Sequence, residues 1–500
     1  GATFTAENNA SIIGGSGGVQ SFFNNAGTFR KISSTGDTVF QQDASPAPAP
    51  VFVNTGLLDV QTGRVLLSGG TNFNQFNVEA GAQIRFLNGT NTQTGGAFFS
   101  GTGTLAVGSA SPTPVLWLAK DLTLANLSVE GPAIVDGPGN LTVSNSLKLL
   151  AGGILQGNGD VNINPNASFI ISNAPLVTLG RTINNQGNAT NIGVGTVFAA
   201  RPVAWNNQPG SVLALQGGAN MDFNYSGAPP PVLNNAGTLA IVPTNNYTIY
   251  WIVTNIGTIL VNPSSLTFQQ SLTQIAGKTV VAAGSLLNVP TSFNRKFFVE
   301  GGTLSGSGEV DANVVNSGVI HPGASPGRLT IVGSLSNTPS ASLEIEIDGT
   351  TPVSQYSQLN NVLNQDWLAG DLNVSFGNGF VPAAGQSFTI CTSPSFSGVF
   401  SGVHETRTSG IVLVPAYRAS SVVLVAANEP TLISPTRTGN VATFQFQSTT
   451  GITNLIQFTD SLSPPNWQPL TNFIGDGSIL TVTDSSADSS QRFYRIELKP

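Results

Sequence analysis

Two histidines, His321 and His404, are the only imidazoles in 500 residues. A His-based metal site or a Ser-His-Asp triad would have to use one of them. His321 opens a Pro-Gly turn, and neither has a visible set of partners along the chain, so both read as surface or turn residues. Leu343-Glu-Ile-Glu-Ile-Asp348 is more suggestive. A period of two puts Glu344, Glu346 and Asp348 on one face of a strand and the aliphatic residues on the other. Three carboxylates in a row are a candidate calcium site. The same row also describes a solvated outer face that discourages edge pairing. Gly14-Gly-Ser-Gly-Gly18 spells G-x-S-x-G, but it sits in a glycine-rich corner without the strand-to-helix turn of a nucleophile elbow. Asp121, Glu130, Asp136 and Asp160 are scattered rather than paired, although polysaccharide hydrolysis or lysis would need clustered carboxylates. Cys391 follows Phe388-Thr-Ile390 and reads as an inert buried thiol. These residues lead us to expect no catalytic residue and no cofactor.

Composition narrows the class. Charged residues make up 9% of the chain, with a net charge of -7, against roughly 25% charged residues in an ordinary soluble domain. No basic stripe is present, only the pairs Arg30-Lys31 and Arg295-Lys296, so nucleic acid is not an expected partner. No apolar run is long enough for a membrane-spanning helix. The opening at Gly1 with strand-like residues fits a secreted product whose signal peptide has been removed.

The elements that must position these residues are strands. Runs such as Leu122-Thr-Leu-Ala-Asn-Leu-Ser-Val129 alternate with period two. Only Gln358 to Leu368 has the look of a short helix. The phrase Asn-x-Gly-x-apolar recurs at Asn25, Asn54, Asn235, Asn255 and Asn316. Asn and Gly accept left-handed backbone angles, so each copy reads as a corner followed by a strand. The interval from Asn235 to Asn255 suits one turn of a β-solenoid, and residues 1–300 would then hold about 15 turns. Ser45-Pro-Ala-Pro-Ala-Pro50 and Gly227-Ala-Pro-Pro-Pro231 read as loops thrown out of the coil. The expected fold is all-β: a right-handed parallel β-helix followed by a small β-sandwich. Three regions follow, with a solenoid body at 1–300, its C-terminal part or capping module at 301–427, and an Ig- or FnIII-like sandwich at 428–500. Trp467 is a candidate for the sandwich core.

Gly301-Gly-Thr-Leu-Ser-Gly-Ser-Gly-Glu-Val310, Ser317-Gly-Val-Ile-His-Pro-Gly-Ala-Ser-Pro-Gly-Arg-Leu-Thr-Ile331 and Phe380-Val-Pro-Ala-Ala-Gly-Gln-Ser-Phe-Thr-Ile390 together resemble the end of an autotransporter-type passenger, the β-helix of secreted bacterial surface proteins. Residues 428–500 are too few for that family's membrane-embedded translocator barrel, so the resemblance does not imply self-translocation. Ile456-Gln-Phe-Thr-Asp-Ser-Leu-Ser-Pro-Pro-Asn-Trp-Gln-Pro-Leu470 and Gln491-Arg-Phe-Tyr-Arg-Ile-Glu-Leu498 resemble terminal domains of secreted planctomycete and verrucomicrobial proteins. Both resemblances imply an extracellular or cell-surface location.

A stack of strands has two open ends. The leading expectation is therefore an extracellular structural protein that joins copies of itself head to tail into a filament or surface layer by strand addition. Ala2, Thr3, Phe4 and Thr5 at one end and Phe493, Tyr494 and Ile496 at the other are the candidate subunit contacts. The alternative is an adhesin that presents Trp117, Trp205, Tyr225, Tyr247, Tyr250 and Trp251 to surface glycans. A polysaccharide lyase or hydrolase is the third reading.

Overall fold

In a computed structural model of the chain, nearly all regular structure is β. The described residues are all of 1–500 except 15–17, 43–47, 109–112, 173–175, 194, 219, 224–225, 227–228, 243–245, 325 and 407–409. They form two compact units, Gly1–Arg295 and Lys296–Pro500. Among them, no helix is long and apolar enough to cross a membrane.

The first unit is a parallel β-solenoid. Each turn visits three sheets, and each strand pairs in register with its counterpart one turn away. One such sheet stacks Thr3–Ala6, Thr28–Lys31, Leu57–Val60, Gln75–Val78 and Phe98–Ser100. The alternation visible in sequence is the burial pattern, as in Val212–Gln216, where Leu213 and Leu215 point inward. Register turns that alternation into columns. Leu213, Leu239 and Ile259 lie one above another and are almost fully buried. Each such side chain contributes about 1.5–3 kcal/mol by leaving water.

The corners are held by buried amides. Asn25 Nδ2 donates to Asn54 Oδ1 (2.7 Å), Asn54 to Asn72 (2.9 Å) and Asn72 to Gln93 Oε1 (3.0 Å). A second ladder runs Asn185, Asn207, Asn235, Asn255, with steps of 2.8, 2.8 and 2.7 Å. Most of these amides also donate to the carbonyl that starts the next turn's following strand, as Asn235 does to Thr258 O (2.9 Å). Both donor hydrogens therefore point the same way along the coil. The two ladders occupy different corners. Asn25 ends Phe22–Asn25, whose sheet continues through Val115–Leu118 to Thr196–Ala199. Asn185 ends Ile183–Asn185, which belongs to the sheet of Val161–Ile163 and Leu141–Val143. Turn length is not uniform: successive ladder residues lie 29, 18 and 21 apart in the first ladder and 22, 28 and 20 in the second. The long intervals contain the two proline-rich excursions, parts of which (45–47, 227–228) lie outside the described residues.

The corner glycines correct one expectation. Gly27, Gly56, Gly237, Gly257 and Gly318 do not take positive φ angles. They are glycine because the neighbouring turn leaves no room. A Cβ on Gly257 would lie 2.1 Å from Gly237 O, and one on Gly56 2.0 Å from Gly27 O. The motif is therefore set by stacking distance rather than by left-handed backbone.

The second unit also coils, with Val319–Pro322, Ser342–Ile347, Asp371–Phe376 and Gly402–Glu405 in parallel succession. The hairpin Ile411–Tyr417 and Ser421–Asn428 then lies antiparallel against Ser387–Thr392. The segment read as a short helix is instead two strands, Gln358–Asn361 and Asp366–Leu368. Asn361 Oδ1 accepts the N–H of Leu363 (3.2 Å) and Asn364 (3.4 Å), which turns the chain between them. From Ile433 onward, two three-stranded antiparallel sheets close on Phe444, Phe446, Ile456 and Val482. Trp467 is not in that core. It is half-buried beneath the Arg495 guanidinium, 4.5 Å from its ring centroid.

Candidate functional site

Thr3–Ala6, in the first described turn, is the most exposed strand of the coil framework. Thr3–Ala6 pairs with Thr28–Lys31 and with no other strand among the described residues. Phe4 stands in the inward column of Phe29, Leu58 and Phe76, and its ring stacks on Phe29 at 5.1 Å. Phe29 is fully buried, whereas Phe4 is 48% exposed. Phe23 stacks on Phe52 at 5.6 Å on the neighbouring sheet. Among the described residues no donor reaches Asn25 Oδ1, because every amide in the ladder donates away from this end. Lys31 closes the turn from inside, donating from Nζ to Asn8 O (2.5 Å). Its burial lowers its pKa, against an opposing pull from Asp37. Ala2, Thr3, Phe4 and Thr5 thus all lie along this edge, with Ala2 O accepting from Thr28 N (3.0 Å).

The C-terminal candidates have other duties. Phe493–Lys499 pairs only with Thr453–Thr459 among the described strands, so its other backbone edge is open. Tyr494 and Ile496 pack against the sandwich core, and Tyr494 Oη donates to the buried Asp484 (2.8 Å). Phe493 is half-buried. The open feature here is backbone rather than an apolar patch made by these three side chains.

The acidic row faces outward as its spacing predicts, and it has neighbours the chain order hides. Register aligns His321, Glu344, Asn373 and His404 across four successive strands. His321 Nδ1 lies 3.6 Å from Glu344 Oε2, and His404 Nε2 lies 3.7 Å from Asp371 Oδ1. With Glu346, Ser375 and Glu405 they line an open groove of about 540 Å³. Glu344 Oε2 faces His321, whereas Glu346 Oε1 and Asp348 Oδ1 both lean over Gly377, where an added Cβ would lie 2.9 and 2.1 Å from them; Asp348 Oδ2 accepts from the Asn378 amide (2.8 Å), and Glu405 accepts the N–H of Leu413 (2.8 Å). Among the described residues no three His, Cys, Asp or Glu side chains could hold a metal ion. Glu344, Glu346 and Asp348, the calcium candidates, form no such group.

The other acids serve structure. Glu130 pairs with Arg85 (2.7 Å); burial pushes its pKa up, but the Ser128 hydroxyl and Arg85 together hold it below its ordinary value. Asp121, Asp136 and Asp160 bond to Asn140, Gln156 and Asn184 in adjoining turns. Burial pushes the Cys391 thiol far up. Trp205, Tyr247 and Trp251 are core residues, Tyr250 is half-buried and Trp117 is 37% exposed; Tyr225 lies outside the described residues, as does the centre of the G-x-S-x-G string (15–17).

Arg181 escaped the sequence reading. It is fully buried and donates to Gly137 O (2.8 Å) and Gly139 O (2.7 Å) two turns back and to Gln156 O one turn back. Burial lowers its pKa to about 10. The paired Gly-x-Gly corners at 137–139 and 157–159 were the available signal: the first supplies two of the carbonyls, and a Cβ on Gly157 would lie 2.7 Å from Arg181 Nη2. No protein-family description matches the chain, and no curated protein is similar to it.

Proposed function

We propose that this protein is an extracellular structural subunit that joins copies of itself end to end, with the Thr3–Ala6 edge as one contact. The observation that carries this reading is the first turn. A core-column ring, Phe4, stays half in water in a strand that pairs on one side only among the described residues, near an amide acceptor that no described donor reaches. Each of these gains by the arrival of another strand in the same register. Low charge density supports the reading, because little repulsion opposes close approach of two copies. The aromatic residues that a glycan-binding surface would use are mostly core members, which favours self-association over adhesion.

The test is light scattering of the full chain across a concentration series, beside Phe4→Asp. Mass that grows with concentration, and falls back towards the monomer in the variant, supports the proposal. A wild-type protein that stays monomeric throughout overturns it.

A further inference from the structure

Asp366 interrupts an apolar column. Register places it directly between Leu335 and Phe396, in the column that continues from Leu335 to Val314 and Phe297. It is 2% exposed. Its Oδ1 accepts from Asn361 Nδ2 (2.5 Å), which also donates to Gly333 O (2.7 Å). Its own N–H donates to Ser395 O (3.0 Å), and Ser393 N donates to Ser420 O (3.2 Å) in the turn of the terminal hairpin. One carboxyl thus sits where the last coil turn, the Asn361 turn and the hairpin meet.

We infer that Asp366 is a pH-sensitive latch, closed as the neutral acid, that fixes the last coil turn and the Ile411–Asn428 hairpin to the rest of the second unit. No cation among the described residues faces the carboxyl. Leu335–Asn337 and Phe396–Gly398 bring no titratable side chain. Ser387–Thr392 brings only Cys391, a thiol that burial keeps neutral and that itself faces Tyr417 on the hairpin. Burial raises the Asp366 pKa from 3.8 to about 7, and the Asn361 amide, the Leu335 N–H and Ser393 offset only part of that. An acid held neutral by its surroundings favours the closed form below its ordinary pKa. That preference is lost progressively as pH rises to the folded value and is gone above it.

The experiment is hydrogen exchange of the full chain at pH 5 and pH 8, corrected for intrinsic rates and read on peptides covering 387–398 and 411–428. If opening lets Asp366 reach water, the opening constant rises roughly 100-fold over that interval. Asp366→Asn, which keeps the shape without the charge, abolishes the rise, and Asp366→Leu, which completes the apolar column, does the same should the first variant fold poorly. Exchange that is equally protected at both pH values in the wild type overturns the latch. So does a rise that persists unchanged in the variants.

Discussion

Asn235 Nδ2 donates to Asn255 Oδ1 across 2.7 Å, and to Thr258 O in the same following turn. One side chain thereby spans two turns and closes a corner. Asn235→Ala removes its own two donors and leaves Asn207 Nδ2 without its amide acceptor (2.8 Å). Buried groups left unpaired cost more than the bonds themselves contribute, so the loss is about 2–4 kcal/mol, read by urea unfolding. Asn234→Ala, one residue earlier on the outer face, costs less because its partner Asn206 is in contact with water.

The corner glycines answer to space. Gly257→Ala sets a methyl 2.1 Å from Gly237 O, and the backbone must part to admit it. The expected destabilisation is about 1–3 kcal/mol in thermal or denaturant unfolding. Gly257→Asn is no better, although Asn accepts positive φ readily, because φ is not what this position demands. Rescue by Asn would reinstate the left-handed explanation.

Much of this fold was legible. Alternation marked the strands, and Asn-x-Gly marked the corners. It did not say which corner, because a three-sided coil offers three equivalent places for the same phrase, and the ladder changes sides between Gln93 and Asn185. The alignment of His321 with Glu344 and His404 was hidden for a related reason: register across turns depends on insertions of varying length. Asp366 was masked because a polar residue amid Asn and Gln resembles a helix surface. Trp467 was misplaced because size alone suggested core, while Arg495 shields it at the rim.

Asn191 is a buried flaw. It points inward between Ile171 and Leu215, is 4% exposed, and its Nδ2 has no hydrogen-bond partner among the described residues. Replacing the amide with an aliphatic group of similar volume removes an uncompensated desolvation. Asn191→Leu is expected to stabilise by about 1 kcal/mol, measured as a higher urea midpoint with unchanged slope.

The sandwich has an acid-sensitive tie. Asp484 is buried and accepts from Arg492 Nη1 (3.0 Å), Tyr494 Oη (2.8 Å) and Ser486. Burial alone would raise its pKa, but these donors hold it below the ordinary 3.8. A depressed carboxyl contributes stability above its unfolded pKa and loses it as pH falls through the folded value. Asp484→Ala leaves Arg492 paired with Asp460 but strips the Tyr494 hydroxyl of its acceptor, at a cost of about 1–3 kcal/mol. The near-ultraviolet signal of Trp467 and Tyr494 should report earlier unfolding of the variant at neutral pH, and convergence of the two proteins at low pH.

Negative-stain imaging of the concentrated full chain tests the proposed assembly most directly. We predict strings of subunits that lengthen with concentration and shorten in Phe4→Asp. A field of separate particles at every concentration, indistinguishable from the variant, would contradict it.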